Sequence, residues 1–150
     1  MLLFTTVFLF CLSPVAKAQS PGETVEMFFT AMNSSDVTAI KSLVDEQCTL
    51  QTIAYSRQSQ KTELHSVDLE DFYHMLEDKQ PDMKFEEKIY NLQVNQDCDM
   101  AVVWAPYKFY INEKFSHCGV NLFTLAFISE NWKVLSITDT RRKENCVTDQ

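Results

Sequence analysis

The alternation of apolar and polar residues in the second half of the chain is the feature that most restricts its fold. From Met83 onward the side chains alternate with a period of two, which is typical of strands with one buried face. Short polar turns such as Asn112-Glu113 separate these segments, and strands joined by turns this short pair antiparallel. We therefore predict four long strands, at residues 84–94, 99–111, 115–128 and 132–142.

The preceding segment has helical spacing instead. Ser20-Pro21-Gly22-Glu23 has the pattern of a capping box and predicts a first helix that ends at about Asn33. The segment Asn33-Ser34-Ser35-Asp36 is expected to end this helix and to cap a second short one, and Ser66 is expected to cap a third. Between the second and third helices we predict a strand at about 48–55 and a loop at 56–62. Helices followed by a strand meander indicate an α+β fold, with the helices packed on one face of the sheet.

The N-terminus has the features of an export signal. The segment from Met1 to Pro14 is almost wholly apolar, and Ala16-Lys17-Ala18 supplies the small residues of a signal-peptidase site. We predict a signal peptide at residues 1–18 and one domain at 19–150. The protein is then secreted or periplasmic, with no membrane attachment after cleavage; an uncleaved N-terminal anchor is the alternative. The net charge of −8 argues against nucleic acid as a partner.

Cysteine and glycine restrict the chemistry further. Cleavage would leave Cys48, Cys98, Cys118 and Cys146, and an even number in an exported chain suggests disulfides, although three pairings are open. We favour Cys118–Cys146, because the terminal strand should run antiparallel beside Cys118 and a short bend would return Cys146 to it. There is no C-x-x-C spacing, and only Gly22 and Gly119 occur. We therefore expect no metal ion, no cofactor and no glycine-rich phosphate loop.

Three segments in the last third resemble the nuclear transport factor 2-like superfamily, specifically its exported SnoaL-like or lumazine-binding-like branch. They are AVVWAPYKFY at 101–110, FSHCGV at 115–120, and WKV at 132–134 leading into DTRR at 139–142. The resemblance implies a cystatin-like cone, in which N-terminal helices pack on a curved antiparallel sheet and enclose a pocket. It also implies a homodimer formed through the sheet in many members. Because the superfamily contains both enzymes and proteins that only bind, function has to be argued from the site.

Six residues are candidates for that site. We predict that the ligand-binding residues are Tyr55, Trp104, Tyr107, His117 and Asn121. His117 is a candidate proton carrier or ligand donor near neutral pH, although it could instead satisfy a strand-end hydrogen bond. Asp139 is the second catalytic candidate, and its alternative role is an ion pair with Arg141 or Arg142. A single β-bulge would exchange the two sheet faces, so the side on which His117 lies stays open.

Three hypotheses for function follow. The first is an exported domain that binds a small, partly apolar or aromatic ligand and has no assignable reaction. The second is an isomerase-, cyclase- or dehydratase-type enzyme that moves a proton with His117 or Asp139. The third is a dimeric interaction or accessory protein that uses an exposed sheet face.

Overall fold

The computed structural model describes residues 19–147, so the signal peptide predicted at 1–18 lies outside the described residues. Three helices and seven strands follow one another in this part of the chain: α1 (Pro21–Ser34), α2 (Val37–Leu43), β1 (Val44–Ser56), β2 (Lys61–Val67), α3 (Leu69–Glu77), β3 (Phe85–Ile89), β4 (Gln93–Asp97), β5 (Met100–Ile111), β6 (Lys114–Ile128) and β7 (Asn131–Arg141). The predicted α+β class is confirmed. None of the described helices is long and apolar enough to cross a membrane.

The first two helices begin where their capping residues predict. The Ser20 backbone donates to Glu23 Oε2 over 2.7 Å, and the Glu23 backbone donates to Ser20 Oγ over 3.2 Å, which satisfies two N–H groups that the helix itself cannot use. The Asp36 side chain caps α2 through a single bond, which it accepts from the Ala39 backbone over 2.9 Å. The prediction that Ser66 caps α3 is wrong. Ser66 lies in β2, and the carboxylate of Asp68 accepts from the Glu70 backbone instead.

The strands form one mixed sheet in the order β2-β1-β7-β6-β5-β3. β4 also pairs with β5, along its first half, whereas β3 pairs with its second half. All pairs are antiparallel except β1–β7, which is parallel. The prediction of a purely antiparallel sheet is therefore corrected in this one pair. No tight turn joins β1 to β7, so the constraint that makes the C-terminal meander antiparallel does not apply to them.

Two strand predictions need correction as well. The strand expected at 84–94 is divided into β3 and β4, with Asn91 at φ 43° between them, because an l-residue in the left-handed region interrupts the pleat. Residues of the predicted loop at 56–62 contribute the start of β2, an edge strand that is exposed along almost its whole length. The hairpin turn at Asn112-Glu113 is confirmed. Both residues have positive φ, as a two-residue type I′ turn requires.

The core lies between the helices and one sheet face. Its buried side chains come from α1, α2, α3 and the four longest strands, and include Val25, Ile40, Leu76, Val103, Phe123, Leu125 and Val134. Phe28 and Phe29 of α1 both contact the ring of Phe123 at 5.5 Å between centroids. The inner sheet face is therefore covered by helices at one end, while the other end remains open to the site described below.

The predicted Cys118–Cys146 disulfide is present, with 5.7 Å between the Cα atoms. Cys118 is completely buried, and an isolated bridge joins its backbone to Arg142 just beyond β7. The disulfide therefore holds the residues after β7 against β6. Cys48 and Cys98, whose pairing the sequence left open, are both free thiols.

Candidate functional site

A cavity of about 480 Å³ lies between the helices and the inner sheet face, within the range of 300–1,000 Å³ that is usual for small-molecule sites. Every strand of the sheet except β4 contributes to its lining, together with α1 and α3. The lining residues are Phe28, Phe29, Met32, Leu50, Gln51, Thr52, Val67, Asp71, Phe72, Met75, Phe85, Glu87, Tyr107, Phe109, Ile111, Ser116, His117, Asn121, Ile137, Asp139 and Arg141.

The walls of the cavity are largely aromatic. Phe28 of α1 stacks on Phe72 of α3, with 6.3 Å between ring centroids and 9° between ring planes. On the sheet side Phe85 and Phe109 lie 5.6 Å apart, and Phe109 also contacts the His117 ring at 5.1 Å. Such rings supply a large apolar surface with few rotatable bonds. The walls therefore suit an apolar or aromatic body.

Asp139 lies at the centre of a hydrogen-bonded polar floor. Its Oδ1 accepts from the Thr52 hydroxyl, and its Oδ2 accepts from Arg141 Nε over 2.9 Å. The Tyr107 hydroxyl lies 3.2 Å from the same Oδ2 and 3.0 Å from the Thr140 carbonyl oxygen. Burial, reinforced by the charge of Asp139, raises the pKa of Tyr107 well above its ordinary value. Both oxygens of Asp139 are thus used within the protein.

Glu87 is the second carboxyl group in the cavity. Its Oε1 accepts from Asn121 Nδ2 over 2.7 Å. Two further hydrogen bonds hold the Glu87 backbone in place. Asn33 Nδ2 donates to the Glu87 carbonyl oxygen over 3.1 Å, and the Glu87 backbone N–H donates to Asn33 Oδ1 over 2.8 Å. Burial raises the pKa of Glu87 to about 7; the Asn121 hydrogen bond and Arg141 oppose the rise, and Asp139 adds to it. This carboxyl group therefore exchanges a proton near neutral pH.

His117 is neutral under the same conditions. Burial lowers its pKa to about 4, the charges of Arg141 and Lys143 act in the same direction, and Asp139 opposes them. The ring lies between Phe109 and Tyr107, and Ser116 Oγ lies 3.0 Å from its Nδ1. The Ser116 hydroxyl can donate to Nδ1, which places the ring proton on Nε2, or accept from Nδ1, which leaves Nε2 without a proton. In both tautomers Nε2 is the ring nitrogen that is free for a ligand, as a donor in the first and as an acceptor in the second.

One β-bulge explains how these side chains come together. Tyr110 pairs with Phe115, but Phe109 pairs with His117, so Ser116 is an extra residue in β6. The bulge shifts the pairing of every later residue of β6 by one position. His117 and Asn121 therefore share the inner face with Tyr107 and Asp139. Without the bulge, the turn at Asn112-Glu113 would direct Cys118, Val120 and Leu122 inward.

The structure brings together some of the predicted site residues and separates others. Tyr107, His117, Asn121 and Asp139 all line the cavity, and whether they bind or catalyse stays a prediction. Trp104 and Tyr55 do not line it. Trp104 is 45% exposed on the opposite sheet face, because it pairs with Leu122 rather than with an inward residue. Tyr55 is 62% exposed near the end of the β1–β2 hairpin.

Glu87 was not predicted as a site residue, although the sequence around it indicates that its side chain is directed inward. Phe85 and Ile89 lie two residues to either side and pack partly against the core. In a strand, residues two apart share a face, so a glutamate between two inward apolar residues is itself directed inward. Asn33 and Thr52 were also missed. Within residues 19–147, no cluster of three or more histidine, cysteine, aspartate or glutamate side chains is arranged to hold a metal ion.

Fold and cavity together define an α+β protein with an internal site of ligand size. Solved structures have the same fold. A candidate dehydratase of the NTF2-like family from Streptomyces avermitilis superposes with a TM-score of 0.63 at 13% identity, over 87% of this chain and 99% of that one. An NTF2-like protein from Cytophaga hutchinsonii superposes with a TM-score of 0.60 at 17% identity, over 80% of this chain and 93% of that one. A protein of unknown function with a cystatin-like fold from Nostoc punctiforme superposes with a TM-score of 0.61 at 12% identity, over 82% of this chain and 89% of that one.

The chain has the nuclear transport factor 2-like fold, as its resemblance to that superfamily implied. At these identities the comparison establishes the fold and leaves the activity to the site. No protein-family model matches the chain, and no curated protein does. The exported branch, the signal peptide and the sheet-mediated dimer stay predictions.

Proposed function

We propose that this protein is an exported binding domain for a small molecule with an apolar or aromatic body and one polar end. The observation that carries the proposal is the division of a single cavity into aromatic walls and a polar floor. A ligand with both characters would cover the phenylalanine rings and hydrogen-bond to the floor at the same time. The Cys118–Cys146 disulfide supports the exported location, since such bridges persist mainly in oxidising compartments.

Filling the cavity should abolish binding. Leu50 of β1 lines the cavity, and a Leu50→Trp substitution places an indole where the ligand body would lie. We expect the affinity for decanol, a neutral probe with an apolar body, to fall at least about tenfold. Isothermal titration calorimetry on the mature protein measures this.

The matched control is Ile53→Trp on the same strand. Ile53 is 36% exposed and does not line the cavity, so this substitution should leave the affinity unchanged. Equal affinities of the two variants and the wild type would show that the probe binds elsewhere and would refute the proposal.

A second candidate function is proton transfer on a carbonyl compound, and Glu87 favours it. Its carboxyl group faces an apolar cavity and has a pKa of about 7, the range suited to a general base. Glu87 is better placed for this role than His117 or Asp139, because both oxygens of Asp139 accept hydrogen bonds within the protein and the lowered pKa of His117 makes its ring a weak base. In this mechanism the Glu87 carboxylate takes a proton from the carbon beside the carbonyl. The electron pair of that C–H bond then forms the enolate, whose oxygen can accept from His117 Nε2 in the tautomer that is protonated there.

This candidate predicts exchange catalysis with a defined pH profile. β-Tetralone deuterated beside its carbonyl should lose deuterium to water faster in the presence of the protein, as followed by proton NMR. The carboxylate is the active form of Glu87, so the rate should rise with pH, reach half of its maximum near the Glu87 pKa of about 7, and level off at higher pH. Glu87→Gln should abolish the acceleration, whereas Glu86→Gln, on the exposed side of β3, should not. A rate independent of Glu87 would exclude this role.

A further inference from the structure

Three consecutive basic residues, Arg141, Arg142 and Lys143, lie where β7 ends, in a chain of net charge −8. Of the arginine and lysine side chains within 19–147, Arg141 alone lines the cavity, and the charges of both Arg141 and Lys143 act on His117. The other ionisable residues of the lining include Asp71, Glu87 and Asp139. Arg141 is therefore the group of this cavity that can attract an anion.

The guanidinium of Arg141 is oriented for a ligand by Asp139. Nε donates to Asp139 Oδ2 over 2.9 Å, and the same carboxylate is held in place by Thr52 and Tyr107. The structure records no hydrogen bond from the terminal amino groups of Arg141 to any residue within 19–147, and the side chain is half exposed. A guanidinium fixed through Nε offers its remaining donors in a planar fork, which matches the two oxygens of a carboxylate.

The groups beside Arg141 favour a ligand with one negative charge over a ligand with two. Nε2 of His117 is free for a ligand, because Ser116 Oγ lies 3.0 Å from Nδ1, and burial raises the pKa of Glu87 to about 7, so that this group is partly protonated at neutral pH. Asp139 already balances part of the Arg141 charge, and Asp71 lies in the cavity lining as well. A dianionic head such as a phosphate would meet stronger repulsion from both aspartates than a single carboxylate, whose two oxygens match the free fork of donors.

We propose that the ligand is a monocarboxylic acid with an apolar body, whose carboxylate binds the terminal amino groups of Arg141 while its body lies against the phenylalanine walls. This inference rests on the proposed binding function and adds the chemical class of the head group. It assigns to Arg141 the role of selecting acids over their neutral analogues.

Calorimetry on the mature, disulfide-bonded protein with decanoate, methyl decanoate and decanol tests the inference. The wild type should bind decanoate at least tenfold more tightly than methyl decanoate. Arg141→Gln should remove this preference, so that decanoate and methyl decanoate bind with affinities within about twofold of each other. Arg142→Gln is the matched control. The Arg142 side chain donates to the Asn145 carbonyl and does not line the cavity, so this variant should keep the tenfold preference.

Each other outcome has a defined meaning. Equal affinity of the wild type for the acid and the ester would overturn the carboxylate assignment and leave the binding function standing. Loss of the preference in Arg142→Gln as well would overturn it too, since a general positive field rather than the Arg141 fork would then attract the acid. Failure of all three probes to bind would refute the proposed function itself.

Discussion

Replacing Gly119 with alanine will lower the free energy of unfolding by at least about 3 kcal/mol, because no space exists for a methyl group at this position. A Cβ atom would lie 1.7 Å from the Thr140 carbonyl oxygen and 2.9 Å from Tyr107 Cε1. The first contact is with backbone, so β7 has to move away from β6. Urea denaturation of the variant and the wild type measures the loss.

The same substitution should weaken ligand binding. The Thr140 carbonyl oxygen accepts from the Tyr107 hydroxyl over 3.0 Å, and Asp139 is the residue next to it. Moving β7 therefore separates the groups that form the polar floor. Gly22, the other glycine of the chain, supplies the control. It lies within α1, and a Cβ there would make an ordinary contact of 3.4 Å with Val94.

Alanine is favoured over glycine inside a helix by up to about 1 kcal/mol. Gly22→Ala should therefore be neutral or stabilising. A Gly119→Ala protein as stable as the wild type would contradict the close approach of β6 and β7.

Removing the Cys118–Cys146 disulfide will lower the free energy of unfolding by about as much as Gly119→Ala. Cys146→Ser opens a bridge between residues 28 positions apart, and loop closure of this length is worth about 3–4 kcal/mol in the chain-entropy model. The melting temperature of the variant should fall accordingly, and differential scanning calorimetry measures this fall. Reduction of the wild type with dithiothreitol should produce the same loss, while the reduced variant should lose nothing further.

Cys98→Ser provides the matched substitution for the disulfide experiment. Cys98 is exposed and free, so its replacement should change the free energy of unfolding by no more than about 0.5 kcal/mol. If Cys146→Ser and Cys98→Ser had the same melting temperature, the Cys118–Cys146 bridge would not stabilise the fold.

Local signals in the sequence predicted most of the helices and hairpins. Ser20 and Asp36 have short polar side chains that satisfy backbone N–H groups, so the starts of α1 and α2 could be identified from a few residues. The turn at Asn112-Glu113 was identifiable because this short polar pair lies between two segments with the period of a strand. β2 was missed because Lys61–Val67 is an exposed edge strand and carries no buried face to create such alternation.

The site was harder to predict, because it depends on the register of one strand pair. Ser116 is the extra residue in β6, and nothing in its local sequence marks it as a bulge. Counting along β6 from the turn without this bulge puts His117 and Asn121 on the face opposite Tyr107, so the sequence left the side of His117 open, whereas in the structure all three line one cavity. The long-range bond between Glu87 and Asn121 joins β3 to β6 across β5, and no local pattern encodes a contact of that kind.

Methyl NMR of the methionine side chains tests the central claim, a ligand-binding cavity between the helices and the sheet, most directly. Met32 and Met75 line the cavity, whereas Met27 and Met100 lie outside it. Met75 is 50% exposed, which is close to the 49% of Met27 and the 56% of Met100, so the three methyl groups are similarly accessible to solvent. On addition of decanol, the methyl resonances of Met32 and Met75 should shift and saturate together, and those of Met27 and Met100 should stay in place. Shifts confined to Met27 and Met100, or no shift at any decanol concentration, would contradict the account.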